Sequence, residues 1–132
     1  MGDCIFCKIV RGEIPCVKVW EDENYLAFLD AFPSMIGQVL LIPKNHLSSY
    51  AFELKDKDYS ELLLVAKKIS RAIDKSLKTI KTGLVMEGLE VDHVHIKLYP
   101  LINGGIILKP SLNPRPSEKD LKQIADKIKS SL

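Results

Sequence analysis

Asp92-His93-Val94-His95-Ile96-Lys97-Leu98-Tyr99-Pro100 alternates ionisable residues with Val94, Ile96 and Leu98 over the length of a strand. Successive strand side chains point to opposite faces. His93, His95 and Lys97 are therefore expected on one face, with the three aliphatic residues in a core on the other. Two imidazoles and an ammonium in one row cover ordinary surface poorly and would serve a phosphate site well. On the residues alone a second reading stands beside it, a polar strand face open to solvent.

Working outward, residues 83–87 read as a strand that turns around Gly88 and pairs antiparallel with the His93 strand. The apolar run Val39-Leu40-Leu41-Ile42-Pro43 fits a buried strand, stopped where Pro43 lacks an amide hydrogen, and His46 follows just beyond it. Residues 17–21 and 25–29 form a hairpin around Asp22-Glu23-Asn24. Apolar residues at Tyr59, Leu62, Leu63, Ala66, Ile69, Ile73 and Leu77 keep the three- and four-residue spacing of an amphipathic helix over 56–77. Asn103-Gly104-Gly105 and residues 110–116 are loop-like. Ser117 with Asp120 opens a final helix carrying Leu121, Ile124, Ala125 and Ile128 on one face. This order predicts an α+β fold, a mainly antiparallel sheet of about five strands with one long helix and a C-terminal helix.

At 132 residues the chain suits one domain, residues 1–132, with a real core. Its net charge of +2 comes from interspersed acids and bases, without the basic stripe that binds polymeric nucleic acid. No apolar run approaches the roughly 20 residues of a membrane helix, and no signal peptide is recognisable, so a soluble cytoplasmic protein is expected. Three cysteines without a secretory signal favour metal or thiol chemistry over a disulfide framework.

Cys4 and Cys7 have the spacing that lets one turn present two thiolates to a tetrahedral zinc ion. If His46 and His93 complete the shell, the site is closed and structural, because catalytic zinc keeps a position open for water. Otherwise the cysteines are small buried hydrophobes and His46 is a loop residue. A redox pair is disfavoured, since Cys4 and Cys7 do not sit in the strand-to-helix turn of a thioredoxin-like unit. On the His93 strand face, a neutral His95 could attack phosphorus and form a covalent intermediate. Lys97, about 7 Å along that face, could hold phosphate oxygens and disfavour protonation of His95.

At several places the chain resembles the histidine triad (HIT) family of nucleotide hydrolases and transferases, in its Hint-like form. The matching residues are Asp3-Cys4-Ile5-Phe6-Cys7-Lys8-Ile9, Gly12-Glu13-Ile14-Pro15, Glu21-Asp22, Ala27-Phe28-Leu29-Asp30, Pro33, Ile42-Pro43-Lys44-Asn45-His46 and His93-Val94-His95-Ile96. The resemblance implies a HIT-like domain that pairs as a homodimer. It implies that His95 attacks the α-phosphate of a nucleotide conjugate and becomes transiently nucleotidylated, with no catalytic metal. It also implies that Asp30 accepts hydrogen bonds from ribose, that Phe6 and Phe28 line the pocket of a purine base, and that Cys4, Cys7, His46 and His93 hold one structural zinc ion per chain.

The chain also departs from the family. The motif reads H-x-H-x-K, with Lys97 where a third histidine is usual. Met86-Glu87-Gly88-Leu89-Glu90-Val91-Asp92 is shorter than the family's phosphate-gripping loop, and its carboxylates would repel an anionic substrate if they faced it. Gln38 and Cys16 differ from most relatives and receive no function. Asp30 could simply cap a turn, and Phe6 and Phe28 could serve packing first. The expected function is a nucleotide-conjugate hydrolase or nucleotidyl transferase. The alternative is a HIT-fold nucleotide- and zinc-binding protein that has lost turnover.

Overall fold

A computed structural model describes residues 3–132 of the chain. Five strands, β1 (Lys18–Glu21), β2 (Tyr25–Leu29), β3 (Val39–Pro43), β4 (Lys81–Val85) and β5 (Ile96–Leu101), form one sheet in the order β1-β2-β3-β5-β4. Every neighbouring pair is antiparallel. With helices α1 (Ile5–Val10), α2 (Asp56–Leu77) and α3 (Glu118–Lys129), this is the expected α+β architecture.

Strand alternation gives the sheet two apolar faces. Ala27, Leu29, Val39, Leu41, Ile96 and Leu98 pack against Leu62, Ala66, Ile69 and Ile73 of α2 and Leu121, Ala125 and Ile128 of α3. The opposite residues, Leu26, Phe28, Leu40 and Ile42, pack under Phe6 and Ile9 of α1. The helix boundaries follow local chemistry. Ser117 and Asp120 form a reciprocal capping box at the start of α3, and α2 ends as Lys78 takes a left-handed φ of 53°.

Three local expectations change. Helix α1 was not expected: Cys4 is its N-cap, its sulfur accepting the Cys7 amide at 3.4 Å. The strand expected at 83–87 lies two residues earlier, and β5 starts at Ile96 rather than Asp92. The β3–β5 ladder ends at Leu41↔Ile96, where the preceding chain turns away and Val94 donates its amide to Leu47 instead. Val94 nonetheless stays in the α2 core, so the alternation persists beyond the ladder. His93 and His95, at 0% and 3% exposure, are covered rather than solvated, which removes the reading of a polar face open to water. Among the described residues no helix is long and apolar enough to cross a membrane.

Candidate functional site

Cys4 and Cys7 lie one turn apart at the start of α1, His46 follows β3, and His93 precedes β5. Their four ligand atoms lie within 4.8 Å of one another. Cys4 Sγ is 3.4 Å from His93 Nδ1, and Cys7 Sγ is 3.5 Å from His93 Nδ1 and 3.3 Å from His46 Nδ1. A tetrahedral zinc ion with Zn–S of about 2.3 Å and Zn–N of about 2.0 Å has S···N edges of about 3.5 Å, and these three S···N separations match that edge. The His93 tautomer agrees. Its Nε2 lies 2.8 Å from the carbonyl oxygen of Pro43, to which it donates, leaving the Nδ1 lone pair facing both sulfurs. Burial lowers the His93 pKa, with the Pro43 hydrogen bond opposing, which keeps the ring neutral as a ligand. Two thiol and two imidazole donors make a complete zinc shell.

His95 is oriented by its neighbour. Its Nδ1 lies 2.8 Å from the carbonyl oxygen of His93 and donates to it, so Nε2 carries a free lone pair. Burial lowers the His95 pKa, and the Lys97 charge adds to that against the opposing His93 hydrogen bond. These effects favour the neutral imidazole. The Phe6 ring stands edge-on to His95 with centroids 5.1 Å apart, and touches His93 at 5.7 Å and Phe28 at 6.0 Å. One aromatic residue of α1 thus wedges between the candidate metal cluster, the nucleophile candidate and the sheet.

A cleft of about 730 Å³ opens along Phe6, Phe28 and Asp30, between α1 and α3. Asp30, just after β2, accepts the Phe32 amide on Oδ1 at 2.8 Å and the Gln38 amide group on Oδ2 at 3.0 Å. Gln38 is itself pinned, its Oε1 accepting from the Ser34 amide at 2.8 Å and the Ser34 hydroxyl at 3.1 Å. Asp30 therefore does cap a turn, and it also presents a fixed carboxylate at the end of the cleft. Burial raises its pKa, while the Phe32 amide and Lys97 pull the other way. Gln38, 4% exposed, is a site residue that sequence reasoning missed. Its sequence signals were a polar residue directly before an apolar strand and a departure from most relatives, and neither carries a function by itself.

Lys97 is 8% exposed and donates to Glu90 Oε1 at 2.6 Å. Burial lowers the Lys97 pKa, and the Glu90 hydrogen bond and charge more than reverse this, so it stays protonated. Glu90 belongs to the short segment before the motif, whose carboxylates were expected to repel an anion. One of them does face the site, and it neutralises the lysine there. Gly88 lets this segment approach closely: its φ is +74°, and a side chain there would run into the Ser49 carbonyl.

The HIT domain family matches residues 11–101. An adenosine 5'-monophosphoramidase, hnt1, of Schizosaccharomyces pombe is 36% identical over 131 residues, covering 98% of each chain. Among solved structures, a Hit-like protein from Bartonella henselae superposes with a TM-score of 0.85 at 26% identity, covering 100% of this chain and 98% of that one. A zinc-bound histidine triad family protein from Mycobacterium smegmatis gives 0.80 at 26% identity, covering 98% and 93%. That protein carries zinc on the same fold, in keeping with the Cys4, Cys7, His46 and His93 cluster here. From its sequence, its sheet and its likeness to these proteins, the chain is a member of the HIT family.

Proposed function

We propose that this chain cleaves nucleotide conjugates at the α-phosphate, as a hydrolase or nucleotidyl transferase, with His95 as nucleophile. The observation that carries the reading is the Nδ1–H···O=C bond from His95 to His93, which fixes the tautomer with Nε2 unprotonated. Nε2 forms a bond to the α-phosphorus as the bond to the leaving group breaks, and the leaving group departs with the electron pair. An amine leaving group takes up a proton from solvent. The nucleotidylated imidazole keeps its Nδ1 proton and a positive charge, which the His93 carbonyl faces. A water oxygen then bonds to phosphorus as the P–N bond breaks, giving a nucleoside monophosphate and one proton to solvent.

Asp30 receives the ribose hydroxyls, Phe6 and Phe28 flank the base, and Lys97 attracts the phosphate oxygens. Cys4, Cys7, His46 and His93 hold one structural zinc ion per chain, which when bound ties α1 to the segment carrying the nucleophile. No catalytic metal is invoked. The yeast relative's name directs the first substrate choice to adenosine conjugates. The chain acts as a single cytoplasmic domain paired in a homodimer. Ile80, Leu84 and Ile102, which are 72%, 42% and 50% exposed beside the free edge of β4, support pairing with a second copy.

A second reading, a binding protein without turnover, draws support from the Glu90 carboxylate on Lys97, an anion where a phosphate would go. Intact-mass analysis after mixing with adenosine phosphoramidate, quenched without acid, separates the two. A nucleotide-sized adduct in the parent and none in His95→Ala supports catalysis. No adduct and no AMP after long incubation supports the binding protein.

A further inference from the structure

Tyr99 follows Lys97 on the same face of β5, and its placement is unusual for a tyrosine. The residue is 0% exposed, and its hydroxyl is a buried side-chain oxygen with no hydrogen-bond partner among the described residues. Buried hydroxyls are nearly always paired, and the exceptions call for an explanation such as a ligand or a water. Leu98 and Ile96 point into the α2 core, so strand alternation sends Tyr99 and Lys97 to the face that also carries Leu40 and Phe28. Opposite Tyr99 in the ladder stands Gly83, where a side chain would collide with Ile106. The side chain of Ile106 therefore covers this part of the face, where Tyr99 is buried. Tyr99 stands one alternation beyond Lys97, about 7 Å along the same face, and the charges of Lys97, Asp30, Glu90 and Glu87 act on its phenol.

Lys97 has donors to spare as well. An ammonium offers three N–H groups, and Glu90 is its one hydrogen-bond partner among the described residues. The pair is lopsided: the Lys97 side chain is 10% exposed and the Glu90 side chain 62%. Glu90 can swing into water at little cost, while Lys97 cannot leave.

We propose that Lys97 and Tyr99 together form the anion subsite for the phosphoryl group, and that Glu90 occupies it as a built-in counter-anion until a substrate phosphate displaces it. The proposal rests on the nucleotide reading above and adds two residues to it: Tyr99 as a direct phosphate donor and Glu90 as a competitor for the same cation. It also gives the shortened segment before the motif a purpose. The carboxylate keeps a buried ammonium paired when no substrate is present, and it favours substrates whose phosphate outbids a carboxylate.

The test is the ratio of AMP to adenosine affinity, measured by titration calorimetry on the full-length, zinc-loaded protein, because that ratio isolates the phosphate and needs no turnover. Tyr99→Phe is expected to lower the ratio about tenfold, the scale of one hydrogen bond to a charged group. Its melting temperature should equal or exceed the parent's, since it removes an unpaired buried hydroxyl. Glu90→Gln is expected to raise the ratio, by about fivefold at most for so exposed a partner. A Tyr99→Phe ratio equal to the parent's overturns the tyrosine's role and leaves a buried water as the hydroxyl's partner. A Glu90→Gln ratio unchanged or lowered overturns the counter-anion. A parent that binds adenosine and AMP equally overturns the subsite while leaving nucleoside recognition standing. A parent that binds neither overturns both this proposal and the nucleotide reading.

Discussion

The carbonyl oxygen of His93 holds the Nδ1–H of His95 at 2.8 Å, while the ring of the same His93 turns its own Nδ1 toward the sulfurs of Cys4 and Cys7. One residue thus belongs to the candidate metal cluster through its side chain and to the candidate nucleophile through its backbone. Anything that loosens the first must disturb the second.

Zinc removal should therefore cost both stability and chemistry. The purified protein is expected to carry about one zinc ion per chain, and a strong chelator should lower the melting temperature because metal binding and folding are linked. Cys7→Ala should reproduce both effects, with turnover falling further than the loss of folded protein explains. Elemental analysis and thermal melts check this. Zinc-free protein whose melt ignores the chelator would remove the claim.

Gln38→Leu should weaken nucleotide binding more than it slows turnover of bound substrate. The change strips Asp30 Oδ2 of its donor and leaves the Ser34 amide without its acceptor, a cost of about 1–3 kcal/mol in stability. A several-fold rise in KM at near-constant kcat is the expected kinetic result. An unchanged KM would separate Gln38 from the ribose site.

Lys97→Ala should cost more in turnover than Lys97→Arg, because arginine keeps a cation near Glu90 and the phosphate while alanine removes it. Steady-state assays with adenosine phosphoramidate decide it. Equal losses in the two variants would make the lysine merely structural.

Gly88→Ala should destabilise the protein by about 1–3 kcal/mol, since its φ of +74° is unfavourable for alanine and the added methyl meets the Ser49 carbonyl. Gly12, with φ of +80° and open space around it, provides the contrast: Gly12→Ala carries the backbone strain without a collision and should cost less. Denaturant melts of both variants test the difference, and equal losses would assign the Gly88 effect to φ alone.

Much of this architecture is legible in the sequence, where the deciding forces are local. The 22-residue span of α2 follows from its apolar spacing, the end of β3 from Pro43, and the start of α3 from Ser117 and Asp120. Helix α1 escaped because its six residues are too few to show a period, and it is held by the Cys4 cap and by packing of Phe6 and Ile9 on the sheet. The late start of β5 escaped because it depends on where the partner strand stops pairing. The motif histidines were legible as candidates, and the structure brings His93 together with Cys4, Cys7 and His46. The partners of Gln38 and Glu90 stayed hidden because each is a tertiary neighbour, Asp30 and Lys97 respectively, and so did the complete burial of Tyr99.

Cys4 and His93 meet across 89 positions of sequence. During synthesis both cysteines emerge long before the histidine that would join them, and they remain free thiols until most of the sheet has been made. Closing so long a loop is among the slower steps of assembly. The four-residue cluster can therefore close only once α1 and the segment leading into β5 are both in place, so that a truncated copy ending before His93 keeps Cys4, Cys7 and His46 and cannot complete it.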